Sequence, residues 1–70
     1  MKKICATVSG RVIECTISEG DQIGPGDEVL KIESMKMEIP VESEVHGSVA
    51  RILVQEGENV EEGQPIVELI

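Results

Sequence analysis

Seventy residues make one domain at most, and a chain this short buries only about 60% of its unfolded surface, so its core is thin. The net charge of −8 argues against nucleic acid, which needs a basic patch, and no stretch approaches the ~20 apolar residues of a membrane span. Met1-Lys2-Lys3 is basic but no apolar run follows it, so a signal peptide is excluded and a cytoplasmic location is expected.

There is no Phe, Tyr or Trp, and the apolar content is nine Val and nine Ile against three Leu and two Ala. Branching at Cβ favours the pleated surface of a strand, and no window shows apolar residues at helical spacing. The expected class is all-β. The acidity serves solubility, or gives an acidic face for basic partners. Cys5 and Cys15 are expected as reduced, half-buried thiols. With the single His46 they form no zinc pattern, so no metal site is expected.

In chain order the elements repeat. Gly10 and Gly47 are 37 positions apart, and the same shift lays Val8 on Val45, Val12 on Val49, Glu19-Gly20 on Glu56-Gly57 and Gly26 on Gly63. Residues 11–17 alternate as a strand, with Ile13, Cys15 and Ile17 on one face and Ala50, Ile52 and Val54 as their partners in the copy. Glu19-Gly20-Asp21 and Glu56-Gly57-Glu58 read as turns. Ile23 and Val60 anchor very short strands. Gly24-Pro25-Gly26 is a second turn, answered by Glu61-Glu62-Gly63. Residues 28–33 and 65–70 follow as strands. The copies span about 6–33 and 43–70, and neither can bury its apolar face alone. Two copies facing each other across a pseudo-two-fold axis can. A β-branched residue at Gly20 or Gly57 is expected to damage this fold most, since such residues resist φ > 0. The Met-Lys-Lys start suggests a free-standing protein, and an end at Ile70 equally fits a domain cut from a larger chain.

Residues 37–41 alternate again, with Met37, Ile39 and Val41 on one face. Ser34-Met35-Lys36-Met37 is therefore the hairpin turn that joins the copies. A tight hairpin prefers Asn-Gly or Asp-Gly, because its central residues take φ > 0. Met and Lys break that rule, and rule-breaking positions tend to be functional or strained. Three readings stand side by side. Lys36 is a solvated loop lysine; or Met35 and Met37 are core fillers that flank it on one face of an extended strand; or the exposed amine is a covalent attachment point, which must project from a rigid support and lose a proton before it attacks an acyl donor.

Glu33-Ser34-Met35-Lys36-Met37-Glu38 resembles the attachment motif of biotinyl domains, as in biotin carboxyl carrier proteins. The resemblance covers the whole chain, including the opening Ala6-Thr7-Val8-Ser9-Gly10, the turn Glu19-Gly20-Asp21, Gly26 and Gly63-Gln64-Pro65-Ile66. It implies a flattened β-barrel, or barrel-sandwich hybrid, of two four-stranded sheets with the modified lysine on the hairpin. Two departures stand out: Ser34 where Ala is usual, and Thr7 and Ser9 where the opening motif has prolines. Residues 18–22 leave no room for a protruding loop, so this is similar to the short, thumbless type.

The resemblance further implies that a biotin-protein ligase joins biotin to Lys36, with Met35, Met37, Glu33, Ser34 and Glu38 as residues the ligase reads. The arm would then shuttle a carboxyl group between biotin carboxylase and carboxyltransferase. No catalytic arrangement of Ser, Cys-His or paired carboxylates rises from the sequence, which agrees with a non-catalytic carrier. The rivals are a lipoyl-type carrier, whose tip usually reads Asp-Lys-Ala, and a structural barrel-sandwich module without cargo.

Overall fold

Strands dominate the chain because Val and Ile recur at short intervals between glycine-bearing turns. The computed structural model describes residues 2–70. Its strands are β1 (Lys2–Cys5), β2 (Gly10–Cys15), β3 (Gln22–Ile23), β4 (Glu28–Ser34), β5 (Met37–Glu42), β6 (Gly47–Ile52), β7 (Asn59–Val60) and β8 (Pro65–Leu69). They form two four-stranded antiparallel sheets, with orders β1-β8-β6-β3 and β5-β4-β2-β7. The all-β architecture and its paired sheets are those expected.

The repeat is deeper than the sequence suggested. A shift of 37 residues carries β1–β4 onto β5–β8, and so carries one sheet onto the other. Each sheet takes two strands from each copy. The copies are thus interlocked, and the expectation of two copies simply facing each other is corrected. The turns are interlocked too. The Gly20 N–H donates to the Val49 carbonyl (2.8 Å), and the Gly57 N–H donates to the Val12 carbonyl (2.7 Å). Each copy's turn is held by the other copy's strand, so neither copy satisfies its backbone alone.

Strand β1 lay outside the repeat as read from sequence, which began at Ala6. Its run Lys-Lys-Ile-Cys contains one buried side chain, Ile4, and shows no alternation. It is an edge strand paired with β8, and its lysines are the kind of charge that guards an edge.

Register explains a second difference. Residue 13 is skipped in the β2–β4 ladder, between Val12↔Ile32 and Glu14↔Lys31. Its repeat partner, residue 50, is skipped in the β6–β8 ladder. Residues 29 and 66 are skipped in the same way in β4 and β8. Each bulge adds a residue to one strand and resets the alternation. Val12 and Val49 are therefore fully buried, whereas Ile13 and Cys15, and Ala50 and Ile52, are only half-buried. The bulges also let Val29-Leu30 and Ile66-Val67 bury consecutive side chains. Burying one such Val, Ile or Leu contributes about 1.5–3 kcal/mol.

The steric weak point is Gly10. A Cβ there would overlap the Glu33 carbonyl and lie 2.7 Å from Ile32 Cγ2. Gly20 and Gly57 have φ of 93° and 95°, but an added Cβ at either meets nothing within 4 Å. The sequence placed the greatest sensitivity at Gly20 or Gly57; a side chain there meets backbone strain alone, whereas at Gly10 it meets packed backbone.

Candidate functional site

Strand β4 lies between β5 and β2, and its pairing with β5 runs to the tip: Ile32↔Ile39, Glu33↔Glu38, Ser34↔Met37. Only Met35 and Lys36 are left as the loop. Their φ values are 52° and 64°, both near the left-handed minimum at roughly +57°. Positive φ at both central residues is the mark of a type I′ hairpin turn. Among the described residues they are the two non-glycine positions with φ > 0. Left-handed geometry costs a residue with Cβ roughly 1–2 kcal/mol, so the tip holds strain that Asn-Gly would relieve.

Burial decides between two of the readings of the methionines. Met35 is 91% exposed and Met37 62% exposed, so neither fills the core. Met35 cannot share a strand face with Met37, because it sits in the turn itself. Along β5 the inward face closes gradually, from Met37 through half-buried Ile39 to Val41 at 1%. The tip thus stands clear of the core while its stem is rooted in it.

Lys36 is exposed and makes no hydrogen bond or ion pair with a side chain or backbone among the described residues. Lys2 and Lys31 are engaged, whereas Lys3 on β1 is also without such a contact among the described residues. Lys2 Nζ donates to the His46 carbonyl (2.6 Å), and Lys31 Nζ lies 3.5 Å from Glu14 Oε1.

Behind the tip, Glu33 and Glu38 face each other in register, where like charges repel. Arg11 stands opposite Glu33 on its other side, and its Nη2 donates to Glu33 Oε1 at 3.0 Å. Both side chains are about half exposed, so this pair contributes less than about 1 kcal/mol. Ser34 is half-buried and closes the ladder opposite Met37. The six motif residues are thus brought together in one hairpin. Arg11 escaped the sequence reading. The repeat held the signal: Arg11 falls on Ser48 and Glu33 on Ile70, so the ion pair exists at the hairpin end alone.

Other features lie elsewhere. A groove of about 440 Å³ is lined by Thr7, Pro25, Gly26, Pro40, Glu42, Ser43 and Glu44, none of them in the motif. Ser9, standing where a proline was expected, accepts a hydrogen bond from the Glu62 N–H (2.9 Å). Cys15 is half-buried, its Sγ donating to the Ile17 carbonyl at 3.5 Å; Cys5 is exposed, contrary to the expectation of two half-buried thiols.

Comparison with known proteins bears on the same hairpin and barrel. The Biotin_lipoyl family model, described as biotin-requiring enzyme, matches residues 3–69. A biotinylated protein TB7.3 homolog from Mycobacterium leprae is 46% identical over 61 residues, covering 87% of this chain and 86% of that protein. A biotin/lipoyl attachment protein from Bacillus subtilis is 40% identical over 62 residues, covering 89% of this chain and 85% of that one. The solved structure of Kluyveromyces lactis urea carboxylase matches 99% of this chain with a TM-score of 0.90 and 30% identity, and the match spans 6% of that enzyme.

Proposed function

This chain belongs to the biotin-requiring family as a biotinyl domain, and on that premise we propose that it is a biotin carboxyl carrier loaded on Lys36. The observation that carries the proposal is the tip: an exposed, unpaired amine between two exposed methionines, on a turn whose geometry favours Asn-Gly. A solvated lysine needs no such geometry.

The residues fit the group. Nζ of Lys36 is open to a ligase, and the amide would form when the deprotonated amine attacks an activated biotin carboxyl, the bond to the activating group breaks and that group leaves as the nitrogen gives up a proton. The amide removes the lysine charge and makes the chain one unit more negative than −8. Met35 and Met37 give the ligase an apolar surface, and Glu33, Ser34 and Glu38 flank it. Bound biotin supplies the group that accepts a carboxyl at a biotin carboxylase site and releases it at a carboxyltransferase site. The domain itself makes no bond in that cycle. The β4–β5 stem holds the tether away from the barrel, and tethering raises the effective concentration of cargo at both sites without release. Carboxylase and carboxyltransferase as partners are supported by the likeness to a segment of urea carboxylase. The cytoplasm is the location in which we place this cycle.

A lipoyl cargo on the same lysine is the second reading, favoured by the double name of the Bacillus subtilis relative. Met-Lys-Met at the tip favours biotin. Co-expression with a biotin-protein ligase and, in parallel, with a lipoate-protein ligase, followed by intact mass, separates the two. The expected result is biotin mass on the wild type and none on Lys36→Arg. Lipoyl mass, or an unmodified chain under either ligase, sinks the proposal.

A further inference from the structure

We propose that Met35 and Met37 are a hydroperoxide-sensitive modification site, and that their sulfoxides block loading of Lys36. The inference rests on the reading of Lys36 as the attachment lysine.

Both methionines are exposed, Met35 at 91% and Met37 at 62%, and each is one residue from Lys36. Both are rooted in the hairpin backbone at its tip. Met35 is a central residue of a two-residue loop, and its backbone is held at φ 52° by the Ser34↔Met37 pair that closes the ladder. Met37 is the first residue of β5, above half-buried Ile39. Cys15 is partly sheltered against the Ile17 and Val29 carbonyls, and Cys5 lies at the end of β1, which pairs with β8 in the other sheet.

The chemistry is a two-electron oxygen transfer. A sulfur lone pair attacks one peroxide oxygen, the O–O bond breaks and an S–O bond forms. The transferred oxygen gives up its proton to the departing oxygen, which leaves as water or an alcohol. Sulfur is oxidised and the peroxide reduced. The product is a polar, chiral sulfoxide in place of a flexible apolar thioether. A ligase that closes on Nζ must cover the residues on either side of Lys36. It then buries two S=O acceptors that have lost their water, which is unfavourable unless each finds a donor. Sulfoxides are reducible, so the block is reversible. The fold is untouched, because neither side chain is part of the core.

The test uses the whole unmodified chain. It is treated with hydrogen peroxide, then with a thiol reductant to restore the cysteines, and mapped with trypsin. Cleavage after Lys31, Lys36 and Arg51 puts Met35 and Met37 on separate peptides. Initial rates of biotin transfer by a biotin-protein ligase are then compared. We expect one added oxygen on each peptide, an unchanged melting temperature and a rate at least about tenfold lower, as expected for burying an unpaired polar group. Methionine sulfoxide reductases should restore the rate. Met35→Leu with Met37→Leu should show the same rate with and without peroxide. Equal rates for oxidised and untreated wild type overturn the proposal, as does a peroxide loss that persists in the leucine variant. If untreated chain takes lipoyl or no cargo, the attachment reading itself fails, and the proposal with it; labelled untreated chain confines any failure to the oxidation step.

Discussion

The molecule turns its chain in two different ways. At Gly20, Gly26, Gly57 and Gly63 it uses glycine at φ between 88° and 95°, and each turn is matched by its copy 37 residues away. At the tip of β4 and β5 it uses Met35 and Lys36 at φ of 52° and 64°, with no counterpart in the repeat. The glycine turns accept left-handed backbone without steric cost, whereas the tip accepts strain to keep two long side chains and an amine in solvent. The surroundings follow the same division. Turn hydrogen bonds, bulges and core valines obey the repeat, while the Arg11–Glu33 pair and the Met-Lys-Met tip do not. Symmetry in this chain marks what holds the barrel together, and its breakdown marks what the barrel carries.

Mutation tests that contrast. The largest effect is expected at Gly10, where Val must displace the Glu33 backbone; a loss of about 3 kcal/mol or more is predicted, as for severe overpacking, read from urea unfolding. Stability close to wild type there would contradict the packing seen between β2 and β4. Gly57→Val should lose about 1–3 kcal/mol, through backbone strain alone. At the tip the sign reverses. Met35→Asn with Lys36→Gly should stabilise the chain by about 1–2 kcal/mol, since the replacements suit a type I′ turn, and should abolish labelling. A destabilised double variant would mean that the tip carries no strain. The smallest effect is expected for Arg11→Gln. A double-mutant cycle with Glu33→Gln should give a coupling below about 1 kcal/mol that fades with added salt.

Much of this was legible in the residues. Glycine spacing gave the turns, the repeat gave the pseudo-two-fold relation, and the alternation of Met37, Ile39 and Val41 placed the hairpin. The illegible parts have physical causes. The bulges at residues 13 and 50 shift the buried face by one position, and a sequence with apolar residues on both sides of the shift does not announce them. Strand β1 carries a single inward residue, too little for a period to show. That the copies exchange strands depends on long-range pairing, such as β1 with β8, to which local patterning is blind. Arg11 looked like any exposed arginine until its register placed it beside Glu33.

If the strained tip presents Lys36 for biotin, the label belongs on that residue alone. Tryptic mapping of ligase-treated chain tests it at the level of the residue. An amide on Nζ stops trypsin at Lys36, so biotin mass is expected on one uncut peptide spanning residues 32–51, and none on fragments that carry Lys2, Lys3 or Lys31. Cleavage at Lys36 in fully labelled protein, with the adduct on another lysine, would contradict it.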